Sequence, residues 1–260
     1  MKYFVVDTFA DELFRGNPAG VCILDQWPDD ALMQNIAFEN NLAETAFVVK
    51  NASHYDLRWF TPETEMDLCG HATLASAFII SNFIDKGISD MSFSTKSGIL
   101  VVTKKNELYE MDFPSRKPVK APVNSIVQEA VNAKIAEAGV SRDLLLLVES
   151  EDDVRNIEIN IALIKTVKEY FAFIITAPSA SREYDFVSRF FAPNAGIMED
   201  PVTGSAHCTL IPYWAEKLSK DTMVARQLSQ RGGTLFCQNC GGRVKIAGKA
   251  RLYMEGKILV

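Results

Sequence analysis

Trp59-Phe60-Thr61-Pro62, a polar stretch, then Gly70-His71-Ala72 at the head of an apolar helix: this passage returns about 130 residues later. The second copy runs Arg189-Phe190-Phe191-Ala192-Pro193, an acidic stretch, then Gly204-Ser205-Ala206 and another apolar helix. Both read strand, proline corner, acidic loop, glycine, helix. The spacing far exceeds a solenoid repeat and suggests one domain present twice. The plainer alternative is chance, because strand–loop–helix units are common.

Working outward, Tyr3–Phe9 and Val21–Leu24 read as strands around Gly16-Asn17-Pro18-Ala19-Gly20. Asp29 opens an amphipathic helix over Ala31–Glu39, ended by Asn40-Asn41. Strands follow at Thr45–Val49 and Tyr55–Phe60, and Ala72–Ile84 is apolar enough to be a helix buried nearly all round. Met91–Ser94, Ile99–Thr103 and Leu108–Phe113 read as successive strands. Pro114, Pro118 and Pro122 then mark a linker. Domains are expected at 1–116 and 117–260, with the last strand free to return to the first. Beyond the linker, Val123–Ala138 reads as a helix and Leu144–Val148, Phe171–Thr176 and Phe186–Phe191 as strands. Asp152–Ile159 reads as a short helix, His207–Leu218 as an apolar one, and Met223–Val260 as a strand meander. The fold class is therefore α/β.

With 260 residues the chain is long enough for two domains. Its net charge of −6 provides no positive field for a phosphate backbone, so no nucleic-acid partner is expected. No apolar run reaches the roughly 18–20 residues of a membrane span. The first residues read as a strand and not as an export signal, which places the protein in the cytoplasm. Five cysteines at irregular spacing make no disulfide framework. Cys237-Gln238-Asn239-Cys240 reads as a hairpin turn, with metal and redox readings left open. His54, His71 and His207 have no metal-motif spacing, and no nucleophile elbow, Walker loop or dinucleotide fingerprint is present. What remains is proton transfer without a cofactor or metal.

The chemistry is expected at the two glycine loops. The first turn of a helix carries unpaired N–H groups and partial positive charge, and glycine lets a ligand approach closely. A matched pair of such ends suits a carboxylate. Glu44, in Asn41-Leu42-Ala43-Glu44-Thr45-Ala46-Phe47, sits at the mouth of an apolar strand, where lost solvation suits a carboxylate to proton transfer. His71 stands at one helix start and Asp200 just ahead of the other. Each also has a plain reading: a capping glutamate, a helix-end histidine and a turn aspartate.

These residues, with Val6-Asp7-Thr8-Phe9, Leu68-Cys69-Gly70-His71-Ala72-Thr73, Glu199-Asp200-Pro201-Val202-Thr203-Gly204-Ser205-Ala206 and Gln230-Arg231-Gly232-Gly233, resemble the ordered motifs of PhzF-like phenazine-biosynthesis proteins over nearly the whole chain. The resemblance implies the diaminopimelate-epimerase-like fold, two pseudo-symmetric domains each with a curved sheet around a central helix. It also implies a homodimer and a cofactor-independent isomerase working on a small carboxylate in a cleft between the domains. In the family's named member this is a dihydro-hydroxyanthranilate. By this carry-over Glu44 is the acid/base, and His71 and Asp200 contact polar substituents of the substrate. Cys69, Gly70, Ala72, Thr203, Gly204 and Ser205 line the substrate site. Related epimerases use one cysteine from each half. Cys69 fits the first, but Thr203-Gly204-Ser205 offers no second, so a cysteine-pair racemase is a weaker reading; a non-catalytic protein that senses a carboxylate metabolite in the same cleft is the other alternative. Ala133–Lys168 belongs to no motif and is where specificity is expected.

Overall fold

The computed structural model describes residues 1–260 and divides into two compact units, Met1–Asp112 with Ala247–Val260, and Phe113–Ile246. The first unit holds β1 (Lys2–Thr8), β2 (Asn17–Leu24), α1 (Asp30–Asn40), β3 (Glu44–Lys50), β4 (Tyr55–Phe60), β5 (Glu65–Met66), α2 (Gly70–Ile79), β6 (Asp90–Thr95), β7 (Gly98–Lys105) and β8 (Leu108–Pro114). The second holds β9 (Val119–Ala121), α3 (Ser125–Ala130), β10 (Ile135–Val140), β11 (Leu144–Val148), α4 (Glu151–Arg155), α5 (Ile161–Ile164), β12 (Phe173–Pro178), β13 (Phe186–Phe191), α6 (Gly204–Leu218), β14 (Thr222–Gln227), β15 (Gly233–Asn239) and β16 (Arg243–Gly248). The chain closes with β17 (Ala250–Lys257), which pairs with β1 in the first unit.

The two units repeat one topology. In the first, β1 pairs antiparallel with β2, β2 parallel with β3, β3 antiparallel with β4, β4 parallel with β6, and β6 antiparallel with β7. In the second, β10 to β15 run through the same sequence of senses. The register agrees as well. Tyr55 lies opposite Phe93 where Phe186 lies opposite Ala225, and Thr45 opposite Phe60 where Phe173 lies opposite Phe191. These pairings match Glu44 with Ala172, and the N-caps of α2 and α6 match Cys69 with Thr203, His71 with Ser205 and Thr73 with His207.

Each sheet curves around a helix built from small and apolar residues. In α2 every residue except Gly70 and Phe78 is buried, and the helix packs on β1, β2, β3, β7 and β17. Its buried hydroxyls turn back on the helix: Thr73 Oγ1 donates to Cys69 O at 2.6 Å and Ser76 Oγ to Ala72 O at 2.8 Å, so burial leaves neither unsatisfied. The helix leaves the α pattern as a π turn over Ile80–Ile84, where Asp85 N–H reaches Ile80 O at 2.8 Å. In α6 Pro212 removes the donor that Cys208 O would accept. The Arg116 N–H replaces it at 2.8 Å, so the helix stays continuous.

One expected element is corrected. The helix read over Val123–Ala138 ends at Ala130, and Ile135–Val140 is strand β10. Val131 takes extended dihedrals and bridges to Ile159, and Gly139 packs close to Pro118 and pairs with β9 and β11. Tertiary pairing overrides the helical pattern there. Cys237 and Cys240 fall at the β15–β16 hairpin, closed by Cys240 N–H to Arg243 O at 2.9 Å. All five cysteines are free thiols. No helix is long and apolar enough to cross a membrane.

Candidate active site

Glu44 is the first residue of β3, and its place is set by the turn before it. Asp29 caps α1 through its side chain, which accepts from Leu32 N–H. Asn41 then ends the helix in the left-handed conformation at φ 48° and delivers the chain into β3 within three residues. There Glu44 pairs with Ala19 of β2, beside the strand start at Asn17.

His71 reaches the same place from α2. Its Nε2 lies 3.0 Å from Glu44 Oε2, with side-chain exposures of 9% and 13%. The contact lacks the alignment of a hydrogen bond, so it acts as an ion pair. On the other side of the ring, Nδ1 lies 3.5 Å from both Cys69 Sγ and Asn17 Nδ2. Burial works against a charged His71, but its interactions with Cys69 and with Glu44 oppose this, and the imidazole lies well above its ordinary value of 6.5. The Cys69 thiol is itself pushed up, by burial first and by Glu44 second. The Glu44 carboxyl group beside the ring is one of the groups that favour its protonated form. A buried carboxylate beside an imidazolium can accept a proton from carbon without waiting for solvent.

Glu44, Cys69 and His71 offer donor atoms within 4.8 Å of one another, the distance range of a metal site. Yet His71 turns opposite nitrogens to the thiol and the carboxylate, so a single ion cannot take all three without the ring turning. The arrangement is that of an ion pair flanked by a thiol.

Asp200 belongs to a different network, in the second unit. Its side chain accepts from Thr203 Oγ1 at 2.6 Å, and its backbone N–H donates to Phe190 O at 3.0 Å. Gln227, fully buried at the end of β14, ties the loop together. Its Nε2 donates to Asp200 O at 2.7 Å and to Thr203 Oγ1 at 3.2 Å, while its Oε1 accepts from Thr203 N–H at 2.9 Å. Thr203, Gly204 and Ser205 thus form a fixed helix start, as Cys69, Gly70, His71 and Ala72 do in the first unit. Neither N-cap side chain closes its own helix, which leaves first-turn amides for an incoming acceptor.

An ion pair repeated in both copies holds these loops. Arg58 grips Glu65 at 2.6 and 2.9 Å, and Arg189 grips Glu199 at 2.6 and 3.0 Å. Each guanidinium lies over the phenylalanine two residues on, Phe60 at 5.2 Å and Phe191 at 5.0 Å. Glu199 is the neighbour of Asp200, so this clamp fixes the aspartate's backbone.

Asn17 and Gln227 were not singled out from the sequence. Asn17 lay within the Gly16–Val21 motif and, as a fully buried amide at a strand start, needs partners. Gln227 gave no signal of its own, because only the fold brings β14 beside the Asp200 loop.

Known proteins share this fold and much of this sequence. The model of the phenazine biosynthesis-like protein family, PhzC-PhzF, matches residues 6–256. An uncharacterized isomerase of Pseudomonas aeruginosa is 45% identical over 258 residues, covering 99% of this chain and 98% of its own. A putative phenazine biosynthesis PhzC/PhzF protein from Clostridium difficile superposes at a TM-score of 0.95 with 50% identity over the whole of both chains. A PhzF-family protein of Enterococcus faecalis gives 0.97 and 46%, over 100% of this chain and 99% of its own. A probable proline racemase from Agrobacterium radiobacter, at 0.63 and 8% identity over 100% of this chain and 93% of its own, shares the fold alone.

Proposed function

The chain belongs to the phenazine biosynthesis-like (PhzF) family, and from that premise we propose that it is a cofactor-independent isomerase that moves a proton between carbons of a small carboxylate. An isomerase-type function is what the family supports, since the curated bacterial relatives are named isomerases. The single observation behind the finer reading is the 3.0 Å approach of Glu44 to His71 in a nearly water-free setting. Glu44 takes a proton from one carbon and returns it to another. One group serves as base and then as acid, so the balance closes without a co-reactant. His71, cationic beside it, orients the carboxylate and contacts a polar substituent. Asp200 is assigned a second such contact. The first-turn amides of the glycine-led helices, with Cys69, Thr203 and Ser205 lining them, receive the substrate carboxylate.

A two-cysteine racemase finds less support. The residue matching Cys69 in the repeat is Thr203, and the Cys69 thiol is pushed up in pKa. The test is deuterium exchange. Wild type and Glu44→Gln are incubated in D2O with a panel of small carboxylates that includes trans-2,3-dihydro-3-hydroxyanthranilate, and label and product are read by NMR and mass spectrometry. Label should enter substrate or product with wild type, and the rate should fall about 10²–10⁴-fold in Glu44→Gln, the usual weight of a general acid–base. A variant of unchanged fold that exchanges as fast as wild type refutes the role of Glu44.

A further inference from the structure

Within Ala133–Lys168, the segment that matched no motif, the β10–β11 turn places Ser141, Arg142 and Asp143 against the start of α6. Two bonds, one turn of the helix apart, fasten it there. Ser141 Oγ meets Thr209 Oγ1 at 2.9 Å, and Arg142 Nη2 donates to Ser205 Oγ at 3.2 Å. Asp143 is fully buried and takes Arg142 Nε and Nη2 at 2.9 and 2.8 Å. The guanidinium lies 4.5 Å over the ring of Phe171, whose N–H donates to Arg142 O. One edge and one face of the guanidinium are thus fixed. Its Nη1 corner makes no hydrogen bond within the chain, and the side chain keeps 34% exposure.

The internal repeat gives this contact a meaning. In the first unit Asn17, the first residue of β2, touches His71 at 3.5 Å. In the second unit the residue matching Asn17 is Ser141, and the next residue, Arg142, touches Ser205, the match of His71. A buried carboxylate holding an exposed arginine in one rotamer is costly as a mere surface feature, because Asp143 has to be desolvated first. It is the usual support for a pre-organised anion receptor.

We propose that Arg142, held by Asp143 and Phe171, is a specificity-determining residue that binds the substrate carboxylate together with Ser205. This deepens the isomerase reading and rests on its placement of Ser205 at the substrate. Arg142 selects carboxylates over their uncharged amides, a task that backbone amides perform weakly.

The probes are benzoate and benzamide, titrated by NMR chemical shift into the full chain, since equilibrium binding needs no turnover. Arg142→Gln alone would strand the buried Asp143 charge and endanger the fold, so the main variant is Arg142→Gln with Asp143→Asn, checked by circular dichroism and thermal melting. Wild type should prefer benzoate by tenfold or more, and the double variant should lose that preference. Asp143→Asn alone, which keeps the guanidinium but loosens its hold, should retain a weakened preference, so that complete loss in the double variant is traced to Arg142. A wild type without preference, a folded double variant that retains it, or an Asp143→Asn protein that loses it overturns the proposal. If Glu44→Gln exchanges deuterium normally while the Arg142-dependent preference stands, the isomerase reading falls and the anion site remains.

Discussion

Acidifying the protein from pH 7 to pH 4 should cost it about 3 kcal/mol of stability at one residue, His207. This side chain is fully buried in α6, with Nδ1–H donating to Thr203 O at 2.8 Å and the ring 6.0 Å from Phe186. Burial drives its pKa down to about 4, against an ordinary value of 6.5, and the bond to Thr203 only partly opposes this. Because the folded value lies below the unfolded one, the unfolded chain takes up the proton first as pH falls. The contribution of neutral His207 is therefore complete above about pH 6.5, is lost between 6.5 and 4, and changes no further below 4. A gap of about 2.5 units at 1.36 kcal/mol each gives the figure of about 3 kcal/mol. The comparison protein is His207→Gln, which keeps a donor near Thr203 O but does not titrate. Urea unfolding at half-unit steps from pH 7.5 to 4 gives both stabilities. His207→Gln should be the weaker protein at pH 7, by about 1–3 kcal/mol for a lost hydrogen bond and imperfect packing. That deficit should shrink by about 3 kcal/mol across the window and can change sign. His71 titrates in both proteins and cancels in the difference. A deficit constant to within about 0.5 kcal/mol from pH 7 to 4 would refute the reasoning.

Gly16→Ala should destabilise by at least about 2 kcal/mol in a thermal or urea melt and reduce any Glu44-dependent exchange, because Gly16 has φ 67° and an added Cβ would meet Thr8 O at 1.9 Å, next to Asn17; an unchanged melt refutes it. A double-mutant cycle of Arg189→Met and Glu199→Gln should return a coupling of about 1–3 kcal/mol, well above an exposed surface pair, since both groups are largely shielded and the contact is bidentate. Iodoacetamide at pH 7 should modify exposed Cys240 first and leave Cys69 untouched over the same interval, burial and Glu44 both holding its thiol protonated; peptide mapping that finds Cys69 labelled as fast as Cys240 contradicts this.

The duplicated architecture was legible because its signals are local. A proline corner, an acidic loop and a glycine before an apolar helix are all written within about 15 residues, and repetition is visible without structure. Glu44, His71 and Cys69 were legible as candidates for the same reason. Their grouping was not, since the β3 start and the α2 start are brought together only by sheet pairing. The β10 strand was misread because its helical pattern competes with sheet pairing on both sides, to Val119–Ala121 across α3 and to Leu144–Val148 across a short turn. Arg142 and Gln227 lie in segments with no local pattern. Each acquires its partners, Ser205 for one and Asp200 and Thr203 for the other, only through contacts across more than 20 residues.

The repeat also exposes how the two copies have diverged. Thr73 and His207 occupy one position and perform one task, donating to the carbonyl of the helix N-cap residue, Cys69 O or Thr203 O. The scaffold therefore tolerates different side chains wherever only a hydrogen bond is required. The positions that face the helix starts differ in chemistry instead. The first copy carries Glu44, His71 and Asn17 where the second carries Ala172, Ser205 and Ser141, and Arg142, the residue after Ser141, reaches Ser205. At these positions a carboxyl group and an imidazole stand together in the first copy, and a partly exposed guanidinium fixed by Asp143 stands in the second. Had both copies been kept for stability alone, Glu44 would have no reason to stand nearly buried beside a charged His71, because a packed apolar pair would serve the core at lower desolvation cost.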